Sequence, residues 1–268
     1  MTAMLGDFEV HKLPMGETVY YRDSNHAYYE SIEDRGGKWV GPIAARVPSP
    51  STIGKLLDTN TEPLMRWAAR KTCEGVVQLD HVPDDPSDLW GVLCGRKLTY
   101  RDLREQRASE GTAVHERILG ALAEGGRVPS LADVSAEERG YGQGVLAAWH
   151  DLEPKPIGSE LVVYSSAHRF AGRLDLLCEL DGALTILDLK TGFVGNGAHT
   201  QLAGYWLAAD ESGYGPIERA LILKVSDDGS YSVTPCAAAE RDFLAALSAY
   251  RAASAVGKRS REIAKAAA

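Results

Sequence analysis

The dipeptide Asp181-Gly182 constrains the fold of this chain more than any other short segment. It separates two runs of strand-forming residues, RLDLLCEL (173–180) and LTILDLK (184–190). An Asp-Gly pair between such runs is among the strongest short signals for a β-hairpin, because a two-residue type I′ turn needs a positive φ at both central positions. The sequence therefore predicts two antiparallel strands joined at this turn.

The turn also predicts which residues lie opposite each other in the hairpin. If Leu180 pairs with Ala183, Asp175 falls opposite Asp188. Cross-strand neighbours have Cβ atoms roughly 4.5–5.5 Å apart, and two like charges in such positions destabilise the sheet. A divalent cation between the carboxylates removes the repulsion, and carboxylate oxygens suit Mg²⁺ or Mn²⁺.

Lys190 adds a positive charge on the same face of the second strand. Asp188 and Lys190 are two residues apart, so both side chains leave the strand on one side. There the lysine can orient a water molecule or stabilise negative charge on a phosphate. Ile186 and Leu177 lie among these charges and indicate a hairpin buried on both faces, where charged groups are rarely idle. The alternative is a salt-bridged surface hairpin whose register is accidental, and the apolar residues among the charges favour the functional interpretation over it.

Patterns elsewhere in the chain predict a mixed α/β fold. Residues 1–47 are rich in aromatic and β-branched residues with turn signals between them, which predicts a β-rich N-terminal extension. Residues 48–268 combine helical periodicity with strand-like runs, and their order predicts a mixed central β-sheet flanked by helices. The expected helices span about 110–124, 135–149, 200–209 and 240 onwards, and the expected strands span 160–165, 173–180, 184–190 and 219–225.

Composition sets limits on the partners and the compartment. The net charge of −8 argues against a nucleic-acid partner, although a metal site brings acidic ligands of its own and total charge says little about local basic patches. No run reaches the roughly 18–20 apolar residues that span a bilayer, and the N-terminus lacks the pattern of a signal peptide. We therefore expect a soluble, cytoplasmic protein without a membrane partner. The scattered cysteines do not form the CxxC pairs of a zinc site: Cys73, Cys94, Cys178 and Cys236.

Three further side chains are ambiguous when each is taken alone. His115 shares a helical face with Ile118 and Leu119, so a hydrogen-bonded core histidine is the simpler interpretation. Gln201 and Tyr205 are one helical turn apart and share a face of the helix. The simpler interpretation is a surface glutamine and a half-buried tyrosine. Tyr205 could instead stack on a base or bind a phosphate.

Four segments together resemble one family of nucleases. They occur in the order GTAVHERI (111–118), AGRLDLL (171–177), ILDLKTG (186–192) and QLAGYW (201–206). In this order and spacing they are similar to the RecB-type exonuclease branch of the PD-(D/E)XK nuclease superfamily. The resemblance implies a restriction-endonuclease-like core and a metal-dependent DNA exonuclease, which hydrolyses phosphodiester bonds at linear DNA ends in recombination or repair.

The resemblance also implies a role for each matching residue. One or two Mg²⁺ or Mn²⁺ ions would be held by His115, Asp175, Asp188 and the backbone carbonyl of Leu189. Lys190 would position or activate the attacking water, and Gln201 and Tyr205 would organise the site and contact DNA. Glu160 resembles an acidic residue that serves in some members as an extra ligand or as a neighbour of the ligands.

An iron–sulfur cluster is not expected, as in phage-type members of this branch that lack one. Relatives that hold such a cluster use one early and three late cysteines, whereas only Cys236 follows the second hairpin strand here. Cys178 lies within the hairpin and faces away from Asp175, because strand side chains alternate.

The resemblance leaves two other functions open. A structure-specific or restriction-like endonuclease would use the same chemistry, because a fold alone does not determine the substrate. A non-catalytic subunit that binds DNA ends could also use this fold, although it need not keep Asp175, Asp188 and Lys190. A homo-oligomer or a recombination partner protein is compatible with each function, and a phage-encoded protein would act in the cytoplasm of a bacterial host.

Overall fold

The computed structural model describes residues 3–31, 34–35, 38–39, 44–58, 62–102, 114–125 and 136–266. Two five-stranded β-sheets, a short two-stranded sheet and the surrounding helices make up this part of the chain. The predicted mixed α/β fold with a β-rich N-terminal region is confirmed.

The N-terminal five-stranded sheet is antiparallel throughout. Its strands are rich in aromatic and β-branched residues, which fit a pleated, half-buried surface. They are β1 (Ala3–Leu5), β2 (Phe8–Lys12), β3 (Thr18–Arg22), β4 (Ala27–Ser31) and β7 (Ala44–Val47), in the spatial order β1-β2-β3-β4-β7. The two-stranded sheet consists of β5 (Asp34–Arg35) and β6 (Lys38–Trp39).

The second five-stranded sheet is mixed, as predicted. Its strands are β8 (Lys155–Ser165), β9 (Phe170–Leu180), β10 (Ala183–Lys190), β11 (Arg219–Val225) and β12 (Tyr231–Pro235), in the spatial order β12-β11-β10-β9-β8. Neighbouring strands are antiparallel except β10 and β11, which run parallel. A parallel pair needs a crossover connection, and the helix Asn196–Glu211 supplies it.

The β9–β10 hairpin has the predicted turn and the predicted register. Asp181 and Gly182 adopt φ values of 50° and 77°, as a type I′ turn requires. Leu180 pairs with Ala183, and the ladder continues without a shift to the pair Leu176 and Leu187. The next position in this register is that of Asp175 and Asp188. The register in the structure therefore agrees with the one derived from the turn residues.

Helices cover both faces of the second sheet. Those in the described residues are α1 (Pro50–Gly54), α2 (Glu62–Val77), α3 (Pro86–Gly95), α4 (Gly120–Ala123), α5 (Ala136–Leu152), α6 (Asn196–Glu211) and α7 (Glu240–Ala266). On one face, α6 and α7 share a buried apolar cluster with Ile186, and on the other face α5 shares one with Leu187. The predicted burial of the hairpin on both faces is confirmed.

The element boundaries differ from the prediction mainly at the beginnings. The structure describes the helix expected over about 110–124 from residue 114 onwards, and the first residues of that predicted helix lie outside the described part. Ser135, where the next predicted helix begins, also lies outside it. Helix α6 begins at Asn196 rather than near Thr200, and β8 begins at Lys155 because it continues through an irregular step in its ladder with β9. None of the described helices is both long and apolar enough to cross a membrane.

The N-terminal sheet packs directly on strands β8 and β9. Tyr21 and Tyr28 of the first sheet lie in one buried cluster with Val162 and Ala171 of the second. The guanidinium of Arg173 completes the contact, since Nη2 lies 2.8 Å from a carboxylate oxygen of Glu9 and the group stacks over the Tyr21 ring at 4.7 Å from its centroid. The two sheets therefore share buried surface.

Candidate active site

Three acidic residues lie in a row across strands β8, β9 and β10. The pairs on either side in the β8–β9 ladder place Glu160 opposite Asp175. On the other side of β9, the hairpin register places Asp188 opposite Asp175 as well. Like charges in cross-strand positions repel each other, so this row requires positive charge beside it.

His115 provides the first of these positive groups. Its Nδ1 lies 3.4 Å from Oδ2 of Asp175, and the side chain is 21% exposed. His115 begins a π-helical turn, His115–Leu119. This backbone form is rare in proteins overall, but where it occurs it is often at a functional site. Because Ile118 and Leu119 of the same turn are buried in the core, the turn anchors the helix while the imidazole faces the acidic row.

Glu160 completes a cluster with His115 and Asp175. Each of the three side chains offers one ligand atom, and these atoms all lie within 4.8 Å of one another. Glu160 adopts a φ of 51°, a left-handed conformation that is uncommon for residues other than glycine. Such conformations persist where the surrounding structure holds them, and they occur often at functional sites.

Asp188 and Lys190 form an ion pair beside this cluster. Nζ of Lys190 lies 2.6 Å from Oδ2 of Asp188, which agrees with the prediction that the two side chains share a face of β10. The side chain of Asp188 is 1% exposed and that of Lys190 is 23% exposed. The ammonium group is therefore held at the edge of the site, between a buried carboxylate and solvent.

Helix α6 contributes a hydrogen-bonded chain to the same carboxylate. Nε2 of Gln201 donates to Oδ1 of Asp188 at 3.3 Å and to the hydroxyl of Tyr205 at 3.3 Å. Tyr205 is only 5% exposed, so its ring offers solvent no open face on which a base could stack. Tyr205 is therefore placed to hold Gln201 in position rather than to contact a ligand directly.

The backbone of Leu189 links the two halves of the site. Its N–H donates to Oδ2 of Asp175 at 2.7 Å, and this bond fixes the carboxylate across the hairpin. The sequence prediction concerned the carbonyl of Leu189 as a metal ligand, and that role stays a prediction. The structure thus places His115, Glu160 and Asp175 in one cluster and Asp188, Lys190, Gln201 and Tyr205 in an adjoining network.

The pKa values of the two aspartates are shifted in opposite directions. Burial raises the pKa of Asp188 to about 6, against the attraction of Lys190, and the charge of Asp175 adds to the rise. Burial also disfavours the charged form of Asp175, but His115 and Lys190 outweigh it and lower its pKa. Asp175 is therefore the more firmly ionised of the two carboxyl groups.

The two basic groups respond to the same charges. Burial opposes protonation of His115, yet the Asp175 carboxylate raises its pKa above the usual value. Burial likewise opposes the charged form of Lys190, while Asp188 and Asp175 raise its pKa. The acidic row thus favours the protonated form of both groups, and the charge of that form offsets part of the charge of the row.

The side chains fit a divalent metal ion. An imidazole nitrogen and carboxylate oxygens form a donor set that Mg²⁺ or Mn²⁺ accepts. Oδ2 of Asp188 is buried and receives no well-directed hydrogen bond from the described residues, although Nζ of Lys190 is close. The partner of this oxygen is the Lys190 ammonium, so it is the acidic row and the cluster of His115, Glu160 and Asp175 that indicate a metal ion.

One residue that positions the site is not evident from the sequence. Oδ1 of Asp58 accepts a hydrogen bond from the N–H of Gly197 at 2.8 Å, in the first turn of the helix that carries Gln201. The two partners are 139 positions apart, and no local pattern around Asp58 signals the contact. Only the three-dimensional structure identifies Asp58 as a support for α6.

The comparison with known proteins agrees with this geometry. The model of the PD-(D/E)XK nuclease superfamily matches residues 93–265, which is more than half of the chain. The matched segment contains each site residue described above except Asp58. No curated protein matches the sequence significantly. The family match is independent of the side-chain positions, and the two agree: the chain belongs to the PD-(D/E)XK nuclease superfamily.

Proposed function

We propose that this nuclease is a metal-dependent DNA exonuclease that hydrolyses phosphodiester bonds at linear DNA ends, in recombination or repair. The observation that supports the proposal best is the acidic row of Glu160, Asp175 and Asp188 with Lys190 beside it. The resemblance of the four sequence segments to the RecB-type branch supports the choice of DNA ends as the substrate.

His115, Glu160 and Asp175, together with Asp188, would hold the metal. When bound, a divalent ion lowers the pKa of a coordinated water and neutralises charge on the scissile phosphate. The protein prepares this site through the Leu189 N–H, which fixes the Asp175 carboxylate.

Lys190 is the group that we assign to the water and the phosphate. Its ammonium is held within 2.6 Å of Asp188, so the side chain does not need to be ordered at the moment of reaction. A positive charge fixed in advance, in a partly dehydrated site, stabilises negative charge that develops on phosphate oxygens. Gln201 restrains the other oxygen of Asp188 and thereby the position of the lysine.

The test is hydrolysis of end-labelled linear DNA beside covalently closed circular DNA of the same sequence. Reactions with Mg²⁺, Mn²⁺ or EDTA are compared for the wild type, Asp175→Asn and Lys190→Ala. Lys155→Ala is the matched control, because Lys155 forms an exposed ion pair with Glu179 at the far end of the hairpin. We expect the wild type and Lys155→Ala to degrade linear DNA, but not closed circular DNA, when Mg²⁺ or Mn²⁺ is present. Neither substrate should be degraded in EDTA or by Asp175→Asn or Lys190→Ala.

The other outcomes select other functions. Cleavage of closed circles would identify an endonuclease, and binding of ends without any cleavage would identify a non-catalytic subunit. Activity that survives EDTA or the loss of Lys190 would refute the mechanism itself.

A further inference from the structure

A cavity of about 530 Å³ lies between the N-terminal sheet, helix α1, the β8–β9 turn and helix α7. Its basic lining residues come from four different elements: His26, Arg46, His168, Arg169 and Arg251. Among the described residues that line the cavity there is no aspartate or glutamate. Three of these side chains have a carboxylate within 4.0 Å: Arg169 has Glu30, His26 has Asp23 and His168 has Glu211. The positive charge that can attract an anion therefore comes from Arg46 and Arg251.

The arginines of this cavity are not all neutralised by neighbouring acids. Arg169 forms an ion pair with Glu30, which approaches it from β4. Arg46 and Arg251 form no ion pair with any carboxylate in the described part of the chain, and both are exposed. Two guanidinium groups therefore remain available to an anion that enters the cavity.

The geometry holds one of these guanidinium groups in place. Arg251 donates from Nη2 to the backbone carbonyls of His168 and Arg169, and so it clamps the β8–β9 turn against α7. Arg169 in that turn adopts a left-handed φ of 48°, which needs such support. A guanidinium group fixed in this way loses little conformational freedom when it binds a ligand.

The cavity is separate from the catalytic site but connected to it through the fold. Arg169 precedes β9, and Asp175 lies six residues further along the chain, so the two are at most about 20 Å apart in an extended strand. Helix α1 lines the cavity with Thr52, and its Gly54 lies against the backbone of α6 next to Gln201. One short helix therefore contacts both regions.

The geometry points to a second, non-catalytic phosphate site in this cavity, which binds a backbone phosphate of the DNA strand several nucleotides from the bond that is cut. Arginine forks match phosphate oxygens, and the hydroxyls of Thr52 and Ser254 add further donors. The volume lies in the range of pockets that hold small organic ligands, so a sugar attached to the phosphate has room. The choice of DNA as the carrier of the phosphate rests on the proposed function.

The test measures DNA binding in EDTA, so that it does not depend on hydrolysis. Fluorescence anisotropy with a labelled short duplex compares the wild type with Arg46→Ala and Arg46→Glu. We expect Arg46→Glu to weaken binding about tenfold, since a lost charged hydrogen bond has roughly this effect. The slope of log affinity against log salt should fall by about one unit for each lost phosphate contact.

Arg241→Ala is the matched control. Arg241 lies on helix α7, which also carries Arg251, but its side chain is 88% exposed and does not line the cavity. Its removal should leave both the affinity and the salt slope close to the wild-type values. Because the Arg46 side chain is exposed, its variants should keep the wild-type melting temperature, and circular dichroism checks this.

Titration calorimetry with inorganic phosphate and with thymidine monophosphate distinguishes the sources of the anion. Wild-type binding of DNA that both Arg46 variants weaken supports the proposal. Binding of free phosphate with no effect of the variants on DNA affinity would overturn the choice of DNA, and no effect of the variants on any ligand would overturn the site. If the wild type does not bind DNA at all, the proposed function fails as well.

Discussion

Asp175 is the residue on which the charges of the site converge. It lies opposite Glu160 and Asp188 in the two ladders, and it contacts His115 and the Leu189 N–H. With a neutral imidazole as ligand, three carboxylates and one ammonium leave a net charge of minus two, which one divalent ion neutralises. Without that ion, the Asp175 carboxylate favours the protonated form of His115, as the raised pKa of the imidazole indicates.

We expect Mn²⁺ and Mg²⁺ to raise the melting temperature of the wild type, and Asp175→Asn to lose most of that rise. Binding to the folded state at about a hundredfold the dissociation constant stabilises it by about 2.7 kcal/mol. For a chain of this size that is roughly 5–10 °C. Asparagine keeps the shape of the side chain and an acceptor for Leu189, but not the charge. Equal shifts in both proteins, measured by scanning fluorimetry with metal titration, would contradict the metal site.

His115 should separate the two ions in the same assay. An imidazole nitrogen suits Mn²⁺ better than Mg²⁺, which prefers oxygen ligands. His115→Ala should therefore reduce the Mn²⁺ shift more than the Mg²⁺ shift. His150→Ala is the control, because the side chain of His150 is 89% exposed, and it should change neither shift. No loss for either ion would remove His115 from the ligand set, and an equal loss for both would contradict its preference for Mn²⁺.

At the scale of elements, the predictable parts are those that local chemistry determines. The β9–β10 register follows from two turn residues, and the shared face of Asp188 and Lys190 follows from strand alternation. The pairing of Glu160 with Asp175 is different, because a longer turn joins β8 and β9 and leaves their register open. The π-helical turn at His115 likewise has no sequence signature. The role of the His115 imidazole as a metal ligand could therefore be predicted only through the resemblance.

The contact between α1 and α6 is a second feature that only the structure reveals. Gly54 of α1 faces Gly197 at the start of α6 so closely that a Cβ on Gly54 would collide with the carbonyl oxygen of Gly197. The same Cβ would lie 3.3 Å from the backbone nitrogen of Gln201. Backbone atoms cannot rotate away, so the two helices must separate to accept a side chain there.

Gly54→Ala should therefore destabilise the protein and slow hydrolysis together. Overpacking of this kind costs about 1–3 kcal/mol, and a displaced α6 moves Gln201 away from Asp188. Gly91→Ala is the matched control in α3, where a Cβ meets nothing within 4 Å. It should stabilise by about 0.5–1 kcal/mol through helix propensity. Urea unfolding and initial cleavage rates measure both effects, and a Gly54→Ala protein as stable as the wild type would refute the contact.

At the scale of the whole molecule, the N-terminal sheet behaves as part of the nuclease structure. Its apolar side chains share a buried cluster with β8 and β9, and polar contacts join the two sheets at the edges of that cluster. Glu30 of β4 is the centre of one such contact. It accepts hydrogen bonds from Nε of Arg169 at 3.1 Å and from the hydroxyl of Tyr164 at 2.9 Å.

This contact makes the stability of the molecule depend on pH in a defined direction. The hydrogen bond from Arg169 holds the pKa of Glu30 below its ordinary value of 4.5, despite partial burial. A carboxyl group whose pKa is lowered on folding contributes stability above its unfolded pKa, and that stability is lost as the pH falls through the folded value. The contribution of Glu30 is therefore present at neutral pH and disappears in acid.

Glu30→Gln should be less stable than the wild type by about 1 kcal/mol at neutral pH, since the pair is partly solvated. The difference should shrink as the pH falls below the ordinary value of 4.5, and it should vanish once the pH lies below the lowered pKa of Glu30, where the wild-type carboxyl group is protonated too. Urea unfolding at a series of pH values measures it. Glu179→Gln, which removes an exposed ion pair with Lys155, should shift stability little at any pH. Wild-type and Glu30→Gln curves that stay parallel down to the acid limit would show that Glu30 does not couple the two sheets.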